Sequence, residues 1–159
     1  GAKGEYIHYN LAFAYDQIGK RKEAISEYEK FALHKPAMEV LTILANYYME
    51  EKQYDSAIST YEKMIKISPH AAGLYSGIGY ACSLKGDTDR AIANYKASIR
   101  YDSEDDVVYC LLGNAYEKKG MYNEALREYT NAYQVNPDSN EAARKILDIK
   151  IRMLQKKHQ

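Results

Sequence analysis

A segment of similar sequence occurs four times along this chain. The four copies begin at Leu11, Leu44, Ile78 and Leu112, at intervals of 33, 34 and 34 residues. A fixed period of this length indicates a repeat architecture, in which each copy is one small supersecondary element and only the stacking of neighbours buries a continuous core. The period therefore constrains the fold more than any single motif does.

Each copy has the pattern of two amphipathic helices. In the fourth copy Tyr109, Leu112 and Tyr116 recur at intervals of three and four residues, and Gly120 follows where a helix is expected to end. A second run with the same spacing comes after it, and no segment keeps the period-two alternation of a strand. We predict helical hairpins, and these cover about residues 6–34, 37–67, 70–101 and 105–135. A last helix is predicted from about Ser139 to Lys157.

The fourth copy also carries a defined set of residues at fixed offsets. The set is Leu112, Gly113, Tyr116, Gly120, Tyr122, Ala125, Tyr129, Ala132 and Pro137. This pattern resembles the tetratricopeptide repeat, a helical unit of about 34 residues. The other copies depart from it at His8 and Arg21, at Lys52 in place of the turn glycine, and at Cys82. The resemblance implies an all-α fold, a right-handed superhelical solenoid of helix-turn-helix hairpins with a C-terminal capping helix.

The resemblance also predicts how the chain divides. Residues 1–4 are expected to be a tag remnant or linker, residues 5–138 to hold the repeats, and residues 139–159 to form the capping helix and a basic tail. The four repeats are expected at about residues 5–37, 38–71, 72–105 and 106–138.

The composition excludes several classes of partner. Lys plus Arg and Asp plus Glu both number 22, and the resulting zero net charge argues against nucleic acid or an anionic membrane surface as the main partner. No apolar run approaches about 18 residues, so no membrane insertion is expected. The two cysteines, Cys82 and Cys110, form no C-x-x-C motif, which favours a reducing, cytoplasmic location without a metal site.

No catalytic pattern emerges from the sequence. The Gly77 and Gly79 pair lacks the third glycine of a dinucleotide loop, because Cys82 stands there, and Ser76 is expected to lie within a helix. The four histidines are scattered. Most tyrosines are expected to fill the space between hairpins. We therefore predict no enzyme, no catalytic residue, no cofactor and no metal.

The resemblance implies that the first helix of each hairpin lines a concave groove that receives a peptide or helix of another protein. Candidate binding residues are those on these helices that packing does not use. They are Tyr6, Tyr9, Phe13, Glu39, Thr42, Asn46, Gly73, Gly77, Tyr80, Cys110, Asn114 and Glu117. A wider set adds Gln17, Met49, Ser76, Ser83 and Val107.

Aromatic and amide side chains on these helices have a possible binding role. Tyr6, Tyr9 and Phe13 form a predicted apolar patch for an anchoring side chain, unless a preceding element or a neighbour covers them. Asn46 and Asn114 occupy the same position in two repeats. Each amide has both a donor and an acceptor for a peptide bond, and solvation is the alternative role.

Two glycines interrupt the first helix of the third repeat. Gly73 and Gly77 each cost about 1 kcal/mol relative to alanine within a helix. Room for a ligand beside Tyr80 and tight packing between hairpins are both possible reasons, and packing is slightly favoured.

Chaperone-binding members of the family carry a clamp of lysines, an arginine and asparagines for the carboxylates at a partner's C-terminus. Of the matching positions here, Asn46 alone fits. We predict no such clamp and expect affinity to come from aromatic anchors and amides more than from charge. An RNA-binding groove is a further alternative, but the candidate groove residues are acidic or neutral.

The last helix combines an apolar stripe with a basic face. Ile146, Ile149, Met153 and their neighbours form a stripe wider than a cap requires, which indicates contact with an adjoining domain or a second copy, unless the helix is only a solvated cap. The sequence therefore predicts a non-catalytic protein–protein interaction module, a scaffold or adaptor that binds in its groove. The alternative is a self-associating assembly scaffold that uses the groove or this helix.

Overall fold

The computed structural model describes residues 2–157, and α-helices are the regular elements in that range. The nine described helices are α1 Ala2–Gln17, α2 Arg21–His34, α3 Met38–Glu50, α4 Tyr54–Ile67, α5 Ala72–Lys85, α6 Thr88–Tyr101, α7 Asp106–Lys118, α8 Tyr122–Val135 and α9 Asn140–Lys157. The predicted all-α fold and the hairpin positions are confirmed, with boundaries that differ by a few residues. The predicted tag remnant or linker at residues 1–4 lies at the edge of the described range, and His158 lies outside it.

The chain forms two compact units. The first ends at Pro69 and holds the hairpins α1–α2 and α3–α4, and the second begins at His70 and holds α5–α6, α7–α8 and α9. In each hairpin the two helices pack directly on each other, and α9 packs on α8. None of the helices within the described part is both long and apolar enough to cross a membrane.

Tyrosine rings in the second helices form the centre of three of the hairpins, and Tyr61 of the second hairpin is partly buried. Tyr28, Tyr95 and Tyr129 are among the largest fully buried side chains. Two of these rings lie directly on a glycine of the first helix: a Cβ atom would be 2.7 Å from the Tyr95 ring at Gly79 and 2.5 Å from the Tyr129 ring at Gly113. The alanines at one equivalent position are all fully buried, and they are Ala24, Ala57, Ala91 and Ala125. The small residues therefore let the two helices of a hairpin approach closely.

The remaining helix, α9, covers α8 with one face. Ala142 and Ile149 are buried, whereas Leu147, Ile151 and Leu154 are 59%, 45% and 59% exposed. This helix begins after Ser139, whose hydroxyl accepts a hydrogen bond from the Ala142 amide at 3.3 Å. A hydroxyl at this position satisfies one of the free amides of the first turn, which fixes where the helix starts.

Gly79 and Gly73 of unit 2 differ in what a side chain would meet, and this difference gives a first prediction. We expect Gly79→Ala to lower the free energy of unfolding by about 1–3 kcal/mol, because the new methyl group overlaps the buried Tyr95 ring. At Gly73 a Cβ atom would meet nothing within 4 Å, so the packing explanation is wrong there. Gly73→Ala is expected to raise stability by about 1 kcal/mol through helix propensity. Urea unfolding of both variants measures the difference, and equal effects of the same sign would contradict this packing.

The turn between the helices of each hairpin gives a second prediction. Gly19, Gly86 and Gly120 have φ of +72°, +92° and +72°, and Lys52 stands at the equivalent turn with φ +59°. A side chain in this left-handed region costs roughly 1–2 kcal/mol. Lys52→Gly is therefore expected to raise the free energy of unfolding by about 0.5–1 kcal/mol, once the greater freedom of glycine in the unfolded chain is included.

Thermal and urea unfolding measure this change. The matched control is Lys63→Gly, an exposed lysine within α4, which should lower stability by about 1 kcal/mol. A Lys52→Gly variant that loses as much stability as the control would show that the turn does not favour glycine.

Candidate binding cleft on the first helices

One concavity of unit 2 is a cleft of about 500 Å³ between α5, α7 and α9. Its apolar lining consists of Tyr80, Leu84 and Leu111. Tyr80 and Leu84 are each 46% exposed and lie one turn apart on α5, so together they form an apolar patch in the cleft. The volume falls within the range of about 300–1,000 Å³ that is typical of ligand sites. The cleft therefore combines space with exposed apolar surface.

Helical periodicity places these side chains in the cleft. On α5, Ile78, Ala81 and Cys82 are buried, so Tyr80 and Leu84 lie on the side away from the hairpin core. Helical spacing in the sequence predicted Tyr80 on this side, and the structure places it in the cleft together with Asn114 and Glu117.

Glu117 is the acidic group of the cleft, and α8 and α9 hold it in place. The Tyr129 hydroxyl donates a hydrogen bond to Glu117 Oε2 at 2.8 Å. Arg152 Nη1 lies 2.9 Å from Glu117 Oε1, and Lys145 Nζ lies 3.8 Å from Oε2. Burial and the hydrogen bond to Glu117 raise the pKa of Tyr129 well above its usual value, so the phenol remains a donor. Glu117 therefore has partners within the chain.

Asn114 has one half of its amide in use. Its Oδ1 atom accepts a hydrogen bond from the Tyr129 hydroxyl at 2.8 Å, so that the hydroxyl is shared between Asn114 and Glu117. The side chain also lines the cleft. Its amide nitrogen offers two donors to a ligand, and Oδ1 keeps a second lone pair, so the role as donor and acceptor stays a prediction.

The prediction that Cys110 lines the groove is wrong. Cys110 is 4% exposed, and burial is the main reason that the pKa of its thiol rises to about 11. Although Cys110 lies one turn before Asn114, the first turns of α9 bring Glu141 and Lys145 close to this thiol. The covering helix removes the position from the exposed face.

In unit 1 the predicted aromatic patch lies on α1. Tyr6 and Phe13 are 48% and 53% exposed. Tyr9 is half-buried: its ring centroid lies 6.1 Å from that of Tyr28 and 5.6 Å from that of Phe31. Tyr9 therefore belongs partly to the hairpin core, while Tyr6 and Phe13 keep free surface.

The polar candidates of unit 1 lie on α3. The Tyr9 hydroxyl donates to Glu39 Oε1 at 3.0 Å, which joins the two first helices of this unit. Thr42 is exposed but its hydroxyl donates to the Met38 carbonyl within α3 at 2.8 Å. Asn46 is exposed. The candidate set in unit 1 thus consists of two aromatics and one amide with free surface.

The buried tyrosines share a pattern of partners that differs in the third repeat. The Tyr28 hydroxyl donates to Asp16 Oδ2 at 3.0 Å, as the fourth repeat's tyrosine does to Glu117. The equivalent acidic position in the third repeat holds Ser83, which lines the cleft. The Tyr95 hydroxyl lies beside Ser83, is fully buried and makes no hydrogen bond of standard geometry among the described residues. The third repeat therefore lacks the carboxylate acceptor that the first and fourth contain.

Three cations in the cleft were not among the predicted residues. They are Lys118, Lys145 and Arg152. Lys118 follows Glu117 in the sequence, and Lys145 and Arg152 lie seven residues apart, two turns along one face of α9. This spacing indicates that Lys145 and Arg152 share a face of α9, but only the packing of α9 shows that this face lines the cleft. The expectation that the groove residues are acidic or neutral is wrong at this cleft.

The chemistry of this arrangement is that of recognition. Glu117 is paired, Lys118 Nζ donates to Ser83 Oγ at 3.3 Å, and the Ser76 hydroxyl donates to the Gly73 carbonyl within α5 at 3.1 Å. Across the side chains that the structure describes, no three His, Cys, Asp or Glu residues come together as a metal site. The cleft provides hydrogen-bond donors, positive charge and apolar surface.

Family models of the tetratricopeptide repeat match most of the chain. One model, described as a tetratricopeptide repeat, matches residues 6–32 and 39–70, and a second with that description matches residues 107–139. A third, described as a TPR repeat, matches residues 79–120. The matched segments follow the helical hairpins of the structure.

Curated relatives contain similar segments within longer chains. The chain is 34% identical over 107 residues to small glutamine-rich tetratricopeptide repeat-containing protein 2 of Mycosarcoma maydis, which covers 67% of this chain and 30% of that protein. It is 29% identical over 126 residues to the BBSome complex member BBS4 of Bos taurus, covering 79% of this chain and 24% of that protein. The chain thus spans less than a third of the length of these relatives.

Solved structures with similar folds include a MamA protein, with a TM-score of 0.79 and 22% identity over 92% of this chain and 80% of that one. The first TPR of Spaghetti (RPAP3), bound to the HSP90 peptide SRMEEVD, aligns with a TM-score of 0.68 and 21% identity over 72% of this chain and 91% of that one. Repeat models, hairpin geometry and structural neighbours agree. The chain belongs to the tetratricopeptide repeat family, whose members are generally non-catalytic modules for protein–protein interaction.

Proposed function

We propose that this chain is a scaffold or adaptor module whose first helices bind an extended segment or a helix of another protein. The observation that carries the proposal is the cleft of unit 2, where exposed apolar side chains lie beside hydrogen-bond donors. Tyr80 and Leu84 provide surface for a partner side chain, and the Asn114 amide nitrogen provides a donor for a backbone carbonyl.

Unit 1 supports the same proposal with a second exposed surface. The half-exposed Tyr6 and Phe13 of α1 are suited to contact a partner, since large aromatic side chains contribute most of the binding energy in many interfaces. Asn46 on α3 provides an amide with free surface in the same unit.

The proposal includes the absence of a chaperone-type carboxylate clamp. A neighbour of the same fold is described as bound to the HSP90 peptide SRMEEVD, which supports peptide binding as a capacity of the fold. In this chain the clamp positions on the first helices hold uncharged residues such as Phe13, Gly73 and Gly77. A partner's C-terminal carboxylate would find no lysine or arginine at those positions.

A location in a reducing, cytoplasmic compartment is part of the same proposal. Cys82 and Cys110 are both buried thiols. Buried thiols are ordinary where thiols stay reduced.

Peptide selection on the immobilised domain, followed by affinity measurements, tests the proposed function. We expect Tyr80→Ala to weaken selected peptides about tenfold, since loss of a central aromatic contact costs more than about 1 kcal/mol. The double variant Phe13→Ala, Asn46→Ala should weaken those that bind unit 1. Tyr80 and Phe13 are half-exposed, so these changes should leave folding intact.

Matched controls lie on the second helices. Leu33 of α2 is 79% exposed and Tyr133 of α8 is 41% exposed. Leu33→Ala and Tyr133→Ala should leave peptide affinity unchanged. The proposal would be contradicted if peptides lost affinity for these control variants but not for the variants on α1, α3 and α5. The binding surface would then lie on the second helices.

Self-association through α9 is a second candidate function. The exposed side chains of Leu147, Ile151 and Leu154 form an apolar stripe on this helix. Burial of such a stripe against a second copy would stabilise a dimer. Analytical ultracentrifugation should then show a dimer that Ile151→Glu disperses. A monomer at every concentration would exclude this candidate and leave the peptide-binding proposal unaffected.

A further inference from the structure

The cleft of unit 2 contains more positive charge than its carboxylate neutralises. Three cations line it against one carboxylate, that of Glu117. Lys145 and Arg152 both contact Glu117, whereas the Lys118 ammonium makes one hydrogen bond, to Ser83 Oγ at 3.3 Å. An ammonium has three donors, so Lys118 has donors left for a ligand. Charge complementarity therefore favours an anionic group beside Lys118.

Ser83, which lines the cleft, lies beside a buried donor that is poorly satisfied. In the first repeat the buried tyrosine donates to Asp16 and in the fourth to Glu117, but at the equivalent position the third repeat has Ser83. The Tyr95 hydroxyl beside it is fully buried and makes no hydrogen bond of standard geometry in the described range. A buried donor without a good acceptor is costly. The Ser83 hydroxyl has one hydrogen and two lone pairs, so it can donate to a ligand carboxylate while its oxygen accepts from Lys118 and Tyr95.

We propose that this cleft recognises a glutamate or aspartate side chain of a partner segment, held by Lys118 and Ser83. An aliphatic side chain of the same segment packs on Tyr80, Leu84 and Leu111. The partner carboxylate accepts from Ser83, which stands at the position that Asp16 and Glu117 occupy in the first and fourth repeats. This inference rests on the proposed function and adds to it the chemistry of the bound segment.

The arrangement fits a side chain better than a chain end. The Asn114 amide nitrogen lines the same cleft as Lys118 and offers a donor to a backbone carbonyl. A segment that continues beyond its acidic residue supplies that carbonyl. The cations involved are also on α7 and α9, not at the clamp positions of the first three repeats.

Fluorescence anisotropy with two labelled peptide pools tests this inference. Both pools are blocked at each end, and both contain flanking positions that are randomised among Leu, Ile and Val. Between these positions one pool has glutamate and the other has glutamine. We expect the glutamate pool to bind about tenfold more tightly, since a charge-assisted hydrogen bond is about twice as strong as a neutral one. Its affinity should fall as salt rises from about 50 to about 300 mM.

Variants of two adjacent lysines locate the contact. Lys118→Gln should weaken the glutamate pool about fivefold and leave the glutamine pool unchanged. Lys119→Gln is the matched control, because Lys119 pairs with Asp89 on α6 and does not line the cleft. It should not change either affinity. Equal effects of the two substitutions would indicate general electrostatic attraction and overturn the inference.

The substitution Ser83→Asp gives an independent readout. A carboxylate of the chain's own would accept from Tyr95, as Asp16 does from Tyr28, so the urea midpoint should rise. The same carboxylate should repel the glutamate pool and weaken its binding more than tenfold, and leave the glutamine pool bound. A Ser83→Asp protein that is folded and still binds the glutamate pool at wild-type affinity would overturn the inference.

Other outcomes separate this inference from the proposed function. Equal binding of both pools, weakened by Tyr80→Ala, would overturn the acidic recognition and leave the peptide-binding module intact. If the domain bound a glutamine pool with a free C-terminus more tightly than the blocked glutamate pool, the site would recognise a terminal carboxylate instead. Binding of an oligouridylate but of neither pool would show that the cations serve RNA, which would overturn both.

Discussion

The packing of a buried tyrosine ring on the first helix is the interaction on which both hairpins of unit 2 depend. In unit 2 the ring leaves space for no side chain opposite it, so Gly79 and Gly113 are required where Tyr95 and Tyr129 lie. The ring fills the interface, and in the fourth repeat its hydroxyl reaches Asn114 and Glu117, which line the cleft. One residue therefore connects the hydrophobic core with the polar surface of the candidate site. The hydroxyl needs an acceptor there, and the identity of that acceptor differs between repeats.

The last helix changes what the fourth repeat can do. On the sequence alone α9 is a cap, but in the structure Lys145 and Arg152 reach Glu117 and line the cleft, while the first turns of α9 cover Cys110. A helix that completes the core thus also supplies the charge of the candidate site. Glu117, the acidic side chain of this first helix, is paired with Lys145 and Arg152. The positive charge that remains in the cleft is therefore available to a ligand.

The repeat period predicted the helices because an amphipathic pattern depends on local spacing, and it predicted Tyr80 and Asn114 because helical geometry sets which residues share a face. It failed at Cys110, because a helix more than 30 residues away covers that face. It also gave the wrong reason for Gly73, where the structure has open space. Both errors concern what lies opposite a residue. That information depends on neighbours distant in the sequence, which periodicity does not contain.

The sequence by itself determined the fold class, the positions of the hairpins and the family, because these follow from short-range spacing that recurs four times. It also determined that the tyrosines pack, since small residues accompany them at fixed offsets. Only the tertiary structure decided which polar groups meet: that Glu117 is paired, that Tyr95 lacks a carboxylate acceptor, and that cations of α9 face the same cleft as Lys118. The physical reason is that hydrogen bonds and ion pairs act over a few ångströms, and only folding brings these groups within that distance.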